Sequence, residues 1–384
     1  MRMVTYWLVS VSFSLACTAC TEASLVGTQS AQIEFPGATG FAMINADGTV
    51  VSAHSYNSSG GAVSVSKLGA LYAARFAGIG AEGGIAQVVA YGTDNVRCQL
   101  RYVEFDDPDQ VVWYVCHDPS GTTQDSAAIV QYYRADASSL GGAYVFADDA
   151  SAPFEYCPSS VSWNSEGGAN CIQRTGTGTY DVILGGLAEQ AGSVQVTSFG
   201  DSGEYCNVAG WGPAPMPDTG AQRVQVACYD TSGLAEDSRF MLNYHEHQQI
   251  EVEGIGAYAW LNDSTSSSYT PNSTYSFNAN DSECFSTVDI AAGRSATGQY
   301  FVIYDDKGGS GTTVHVTAYG SSRYCKVRDL NAIADGAGWT DDAEVLVDCY
   351  DSSGNGADTQ YVQSLATNWQ YVICFASGET GSNG

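Results

Sequence analysis

IAQVVAYGTDNVRC, SVQVTSFGDSGEYC and TVHVTAYGSSRYC, ending at Cys98, Cys206 and Cys325, are three versions of one pattern. Each is an alternating Val-rich strand, an aromatic-glycine pair, a few small polar residues and a cysteine. A chain that repeats itself this way builds one supersecondary unit three times. A second block follows each copy: VVWYVCHDPSG, RVQVACYDTSG and EVLVDCYDSSG. It reads as a strand, an Asp-x-Ser-Gly turn and a returning strand. Upstream, LGALYAARF, GTGTYDVIL and ATGQYFVIY align on Tyr72, Tyr180 and Tyr300, and each copy opens with a strand such as GFAMINAD, GAYVFADD or GAYAWLND. The period is about 110 residues with about eight short strands, the size of one β-sandwich.

The expected organisation is therefore a signal peptide over 1–20, β-repeat 1 over 28–136, β-repeat 2 over 137–248, and β-repeat 3 over 249–384. The last includes an extra C-terminal strand, QYVICFASG around Cys374. High glycine (43) and tyrosine (24) and the scarcity of i, i+3, i+4, i+7 apolar spacing agree with an all-β chain. Three tandem Ig-like β-sandwich repeats with intra-repeat disulfides are the favoured architecture. A six-bladed β-propeller with two blades per repeat has the same strand count and is the alternative.

The repeat decides the meaning of Gly200-Asp201-Ser202-Gly203, which spells the surroundings of a chymotrypsin-like nucleophile. The other copies have Gly92-Thr93-Asp94-Asn95 and Gly320-Ser321-Ser322 in its place, so it is a turn whose small polar residues and glycines suit tight backbone geometry. His54 aligns with framework near Trp163, and Gly210-Trp211-Gly212 follows Ser202 where a protease would have it before.

The first residues carry Arg2, an apolar run from Trp7 to Ala16, and small residues ending at Cys17 and Cys20. The run is too short to span a bilayer and reads as an export signal. Lipidation at Cys17 or Cys20 is one outcome and ordinary secretion the other; a lipid would be the chain's link to a membrane. With 14 basic and 42 acidic residues the net charge is −28, which opposes nucleic-acid binding.

Twelve cysteines in an exported chain point to disulfides. The repeats suggest Cys98–Cys116, Cys206–Cys228 and Cys325–Cys349 between adjacent strands. Cys157–Cys171 then closes a local turn, and Cys284–Cys374 pins the terminal strand.

His245 and His247 share a strand face and are the metal candidates. The Asp-x-Ser-Gly loops, with a second aspartate seven residues on, pair Asp118 with Asp125, Asp230 with Asp237 and Asp351 with Asp358. They are candidate calcium loops, against the simpler reading of Asx turns. His315 stands on the polar strand face where the other copies have Gln87 and Gln195, and His117 stands in place of Tyr229 and Tyr350. Both read as framework. No catalytic constellation and no cofactor motif is apparent.

The motifs G-x-G-x-Y-x-V, V-x-V-T-x-Y-G…C and V-x-V-x-C-Y-D-x-x-G resemble those of secreted bacterial proteins of uncharacterised function built from tandem β-repeats. That resemblance covers nearly everything after about residue 30. It implies export and β-repeats, with no activity to carry over. The leading expectation is an exported, non-enzymatic cell-surface or secreted binding or adhesion module, its partner a polysaccharide or an envelope protein. The alternatives are a secreted hydrolase with an unrecognised site and a purely structural envelope protein.

Overall fold

The computed structural model describes residues 37–135, 141–188, 190–245, 256–278, 290–305, 307–333 and 342–367. Repeat 1 forms β1 (Ala38–Ile44), β2 (Val50–Asn57), β3 (Val63–Leu68), β4 (Leu71–Phe76), β5 (Ile85–Tyr91), β6 (Arg97–Asp106), β7 (Asp109–His117) and β8 (Ala127–Arg134). Repeat 2 follows the same plan. It comprises β9 (Gly142–Ala147), β10 (Ser162–Asn164), β11 (Asn170–Gly176), β12 (Thr179–Gly185), β13 (Ser193–Phe199), β14 (Tyr205–Pro213), β15 (Ala221–Tyr229) and β16 (Arg239–His245). So does repeat 3, with β17 (Gly256–Leu261), β18 (Ser276–Asn278), β19 (Ile290–Ala296), β20 (Gln299–Tyr304), β21 (Thr312–Tyr319), β22 (Tyr324–Ile333), β23 (Asp342–Tyr350) and β24 (Gln360–Thr367).

Each repeat is a β-sandwich, as its length and alternation predict. In repeat 1 one half-sheet has the order β2-β1-β8-β5 and the other β3-β4-β7-β6. Their facing residues form one core. Ala42, Val88, Val130 and Tyr132 come from the first half-sheet, and Tyr72, Phe76, Val112, Tyr114 and Leu100 from the second. The half-sheets take non-consecutive strands and face each other in pairs, so they are not propeller blades. One local expectation changes. β7 and β8 lie in opposite half-sheets, so the Asp-x-Ser-Gly turn carries the chain across the core and does not close a hairpin.

The sandwiches are joined edge to edge. Three eight-stranded sheets each take one half from each of two repeats: β19-β20-β23-β22-β5-β8-β1-β2, β10-β9-β16-β13-β6-β7-β4-β3, and β11-β12-β15-β14-β21-β24-β17-β18. Repeat 1 thus shares a sheet with repeat 2, repeat 2 with repeat 3, and repeat 3 with repeat 1, which closes a ring with pseudo-threefold symmetry. All three seams are parallel, at Tyr91–Val327, Phe199–Leu100 and Tyr319–Val208. The aromatic-glycine pair supplies each seam. The amides of Gly92, Gly200 and Gly320 donate to the carbonyls of Val327 (3.0 Å), Leu100 (2.8 Å) and Val208 (2.9 Å) of the neighbouring repeat. Beside each accepting residue the partner strand carries a bulge, at Leu100/Tyr102, Val208/Gly210 and Val327/Asp329. A bulge bends its strand and locally interrupts the ladder, which suits the change from an antiparallel partner to a parallel one.

Closure buries one set of half-sheets on both faces. β1 and β13 are buried at every position, and β5 and β21 at all but their last residue. Their alternate side chains enter their own core or face the ring axis. β3 and β6 lie in the outer half-sheets, where one face meets solvent. Four disulfides are formed: Cys98–Cys116, Cys157–Cys171, Cys206–Cys228 and Cys325–Cys349. The three repeated ones bridge directly opposed residues of adjacent outer strands. Cys17, Cys20, the Cys284–Cys374 pairing and the extra terminal strand lie outside the described residues.

Candidate functional site

The protease-like tetrapeptide is a turn. Its Ser202 is exposed and its backbone N–H donates to Glu204 Oε2 at 3.0 Å, while Asp201 is ion-paired with Arg101 of repeat 1. Gly203 N–H donates to Gln99 Oε1 of the neighbouring repeat at 2.8 Å. The equivalent side chains act alike elsewhere: Asn207 donates to Ser321 O, and Lys326 pairs with Asp94. One repeat therefore holds the turn of the next all the way round. His54, on β2, donates from Nδ1 to Thr312 O at 3.2 Å, tying repeat 1 to repeat 3.

The Asp-x-Ser-Gly loops are Asx turns. Asp118 Oδ1 accepts from the amides of Ser120 (2.9 Å) and Thr122 (3.0 Å), Asp230 Oδ1 from Ser232 (2.8 Å) and Leu234 (2.9 Å), and Asp351 Oδ1 from Ser353 and Asn355 (both 2.9 Å). The loop glycines have φ of 86°, 82° and 82° at Gly121, Gly233 and Gly354. They also sit where loops touch. A Cβ on Gly121 would lie 2.7 Å from Thr231, on Gly233 3.0 Å from Ser352, and on Gly354 2.5 Å from Pro119. Each loop leans on the next repeat's loop, so glycine is needed for contact as well as conformation.

The second aspartates serve separately. Asp125 pairs with Lys67 (2.7 Å), Asp237 with Arg174 (2.8 Å) and Asp358 with Arg294 (2.8 Å). Asp237 and Asp358 also accept the amides of Gly178 and Gly298, both at 2.7 Å. The two aspartates of each candidate calcium loop thus have distinct partners. Among the described residues, no group of three or more His, Cys, Asp or Glu side chains gathers as for a metal. His245 is a buried residue of β16, at 3.2 Å from Asn243 Nδ2. His247 lies outside the described residues.

His315, on β21, belongs to the framework. It is buried on the ring axis, where Nδ1 meets Gln195 Oε1 at 2.9 Å and Nε2 lies 3.1 Å from Thr197 Oγ1. Thr317 donates to Gln195 Oε1 at 2.7 Å, and Thr197 to Gln87. All three repeats meet in this network. Burial pulls the His315 pKa down to about 4.

Many aromatic residues fill the sandwich cores, and others pack at the seams. Trp211, Trp260, Tyr275 and Tyr319 pack edge-to-face and tilted between repeats 2 and 3, with ring centroids 5.2–5.7 Å apart. Phe146 and Phe199 sit at the seam between repeats 1 and 2, 4.6 Å apart. Tyr102, Phe105 and Phe154 are the exposed large aromatics among the described residues. On the outer face of repeat 1, Tyr102 of β6 stands opposite Trp113 of β7. Tyr102 is 48% exposed, with the Arg101 guanidinium 5.0 Å from its ring centre. The Trp113 indole N–H donates to Glu104 Oε1 at 3.0 Å, and Ala73 flanks it on β4. Arg75 bridges Asp109 (2.9 Å) and Asp106 nearby. The matching pairs in the other repeats are Gly210–Gln225 and Asp329–Leu346, so this aromatic pair is not repeat framework. Two anchored rings beside fixed carboxylates and guanidinium groups suit an uncharged ligand that stacks and accepts or donates hydrogen bonds. The signal was present in the sequence as aromatics at positions that differ between copies. No protein-family model, characterised protein or solved structure matches this chain.

Proposed function

We propose that the protein is an exported, non-enzymatic binding module of the cell surface or its surroundings, and that the Tyr102–Trp113 face takes a neutral polysaccharide. The observation that carries this reading is the single-copy aromatic pair on a solvent-facing sheet, held in place by Glu104 and Arg101. Aromatic rings supply apolar contact with a polar rim, the combination a sugar ring needs. The net charge of −28 weighs against an anionic polymer. Four disulfides support an oxidising, extracytoplasmic setting, and attachment through a lipid on Cys17 or Cys20 belongs to the same proposal.

A glycan array and polysaccharide pull-down on the mature protein test it. Trp113→Gln and Tyr102→Ser are expected to weaken binding about tenfold each, the scale of one aromatic contact, with thermal unfolding unchanged. Binding that survives both substitutions moves the site elsewhere, and a blank array beside a positive hydrolase assay favours the enzyme reading. Replacing Cys17 and Cys20 together by serine releases a lipoprotein from the membrane fraction.

A further inference from the structure

Besides His315, the pseudo-threefold symmetry breaks on the axis at a charged residue. At the start of β14 and β22 stand Tyr205 and Tyr324, opposite Tyr229 and Tyr350; in repeat 1 the same positions are Arg97 and His117. Both are buried, at 6% and 1% exposure. The Arg97 guanidinium lies between the two tyrosines, 5.0 Å and 5.1 Å from their ring centres. Nε–H donates to Gly203 O at 2.8 Å; Nη1 and Nη2 make no hydrogen bond of good geometry, and the polar group that acts on the guanidinium most closely is the Tyr324 hydroxyl.

An arginine keeps its charge at any ordinary pH, so its burial calls for a counter-charge. Among the described residues no carboxylate forms an ion pair with it. Asp118, whose charge acts on it, is committed to its Asx turn. Arg97 borders an axial cavity of about 50 Å³, lined also by Thr197, Thr317, His315, Asn207 and the two tyrosines, and by no acidic residue. The other orphaned side-chain atoms nearby include three donors, Gln87 Nε2, Gln99 Nε2 and Gln195 Nε2, against the acceptors Asn243 Oδ1 and His117 Nε2, whose ring donates from Nδ1 to Gly121 O. Donors outnumber acceptors around a buried positive charge.

We infer that the axial cavity is a binding site for a small inorganic anion of chloride size, held by the Nη groups of Arg97 and neutralising it where the three repeats meet. A volume of about 50 Å³ has room for a halide with water beside it.

Crystals of the wild-type protein soaked in bromide are expected to show an anomalous peak within hydrogen-bonding distance of Arg97 Nη atoms; density for water alone there overturns the inference. In solution, thermal unfolding is followed in sodium chloride and in sodium gluconate at equal ionic strength. The wild type should melt about 3 °C higher in chloride, the scale of an anion bound well above its Kd. Arg97→Tyr, which restores the third tyrosine, should lose that difference. An Arg97→Tyr protein that keeps it has its chloride effect elsewhere, and the site is then refuted. If that variant does not fold, the bromide experiment on the wild type decides alone.

Discussion

The inner and outer half-sheets come from the same repeats and have the same alternating strands, yet they are stabilised differently. β5, β13 and β21 are buried on both faces, with polar side chains meeting on the axis in hydrogen bonds that run between repeats. β6, β14 and β22 show one face to solvent and are each fastened to the next strand by a disulfide. Alternation of polar and apolar residues says that a strand has two unlike faces. It does not say whether water or another copy of the repeat covers the polar one.

Removing an outer fastening should have the largest effect on stability. Cys206→Ser with Cys228→Ser opens a crosslink spanning 22 residues and is expected to cost about 3 kcal/mol in urea unfolding. At the centre, His315→Leu leaves Gln195 and Thr197 short of partners and should cost about 2 kcal/mol. A loss below about 0.5 kcal/mol would show that the axis is wet and the two regions alike.

The pH dependence separates the regions further. Burial keeps His315 neutral in the folded protein down to about pH 4, while an unfolded histidine takes its proton near 6.5. The unfolded chain therefore binds the extra proton between these values, and stability falls as pH drops from about 6.5 to 4. His315→Gln, the residue of the other two copies, should remove that limb of a stability–pH curve. The outer ion pair behaves differently. Hydrogen bonding to Arg294 holds the Asp358 pKa below its ordinary value, so its contribution is complete above about pH 4 and is lost on further acidification. Asp358→Asn should flatten only that lower limb and, for a part-buried pair still screened by solvent, cost about 1 kcal/mol. Trp113→Gln on the outer face should change stability least, by about 0.5 kcal/mol or less, while removing ligand binding.

What could be read from the sequence was local. Sandwich size, the pairing of Cys98 with Cys116 and its counterparts, and the Asx turns at Asp118, Asp230 and Asp351 all depend on residues close in the chain. The ring could not be read because its seams join residues such as Tyr91 and Val327, and each seam is a single parallel contact without a periodic signature. Gln195 and His315 read as framework on a polar strand face, and what covered that face was open because glutamine and histidine serve equally well in water and in a satisfied buried network. Arg97 was visible as a departure from the two tyrosines that precede Cys206 and Cys325. Its meaning needed the axis. Tyr102 and Trp113 were visible as aromatics, but only strand register set them side by side.

A parallel seam between β22 and β5 also imposes an order of events on a chain synthesised from its N-terminus. Repeat 1 is complete with the edges of β5 and β6 bare, and the partner of β5 does not arrive until residue 327 has been added. Until then the growing chain carries a sandwich with open strand edges, the surfaces through which β-proteins stick to one another. A product truncated after the second repeat would keep such an edge permanently, and its natural fate is to pair with another unfinished copy.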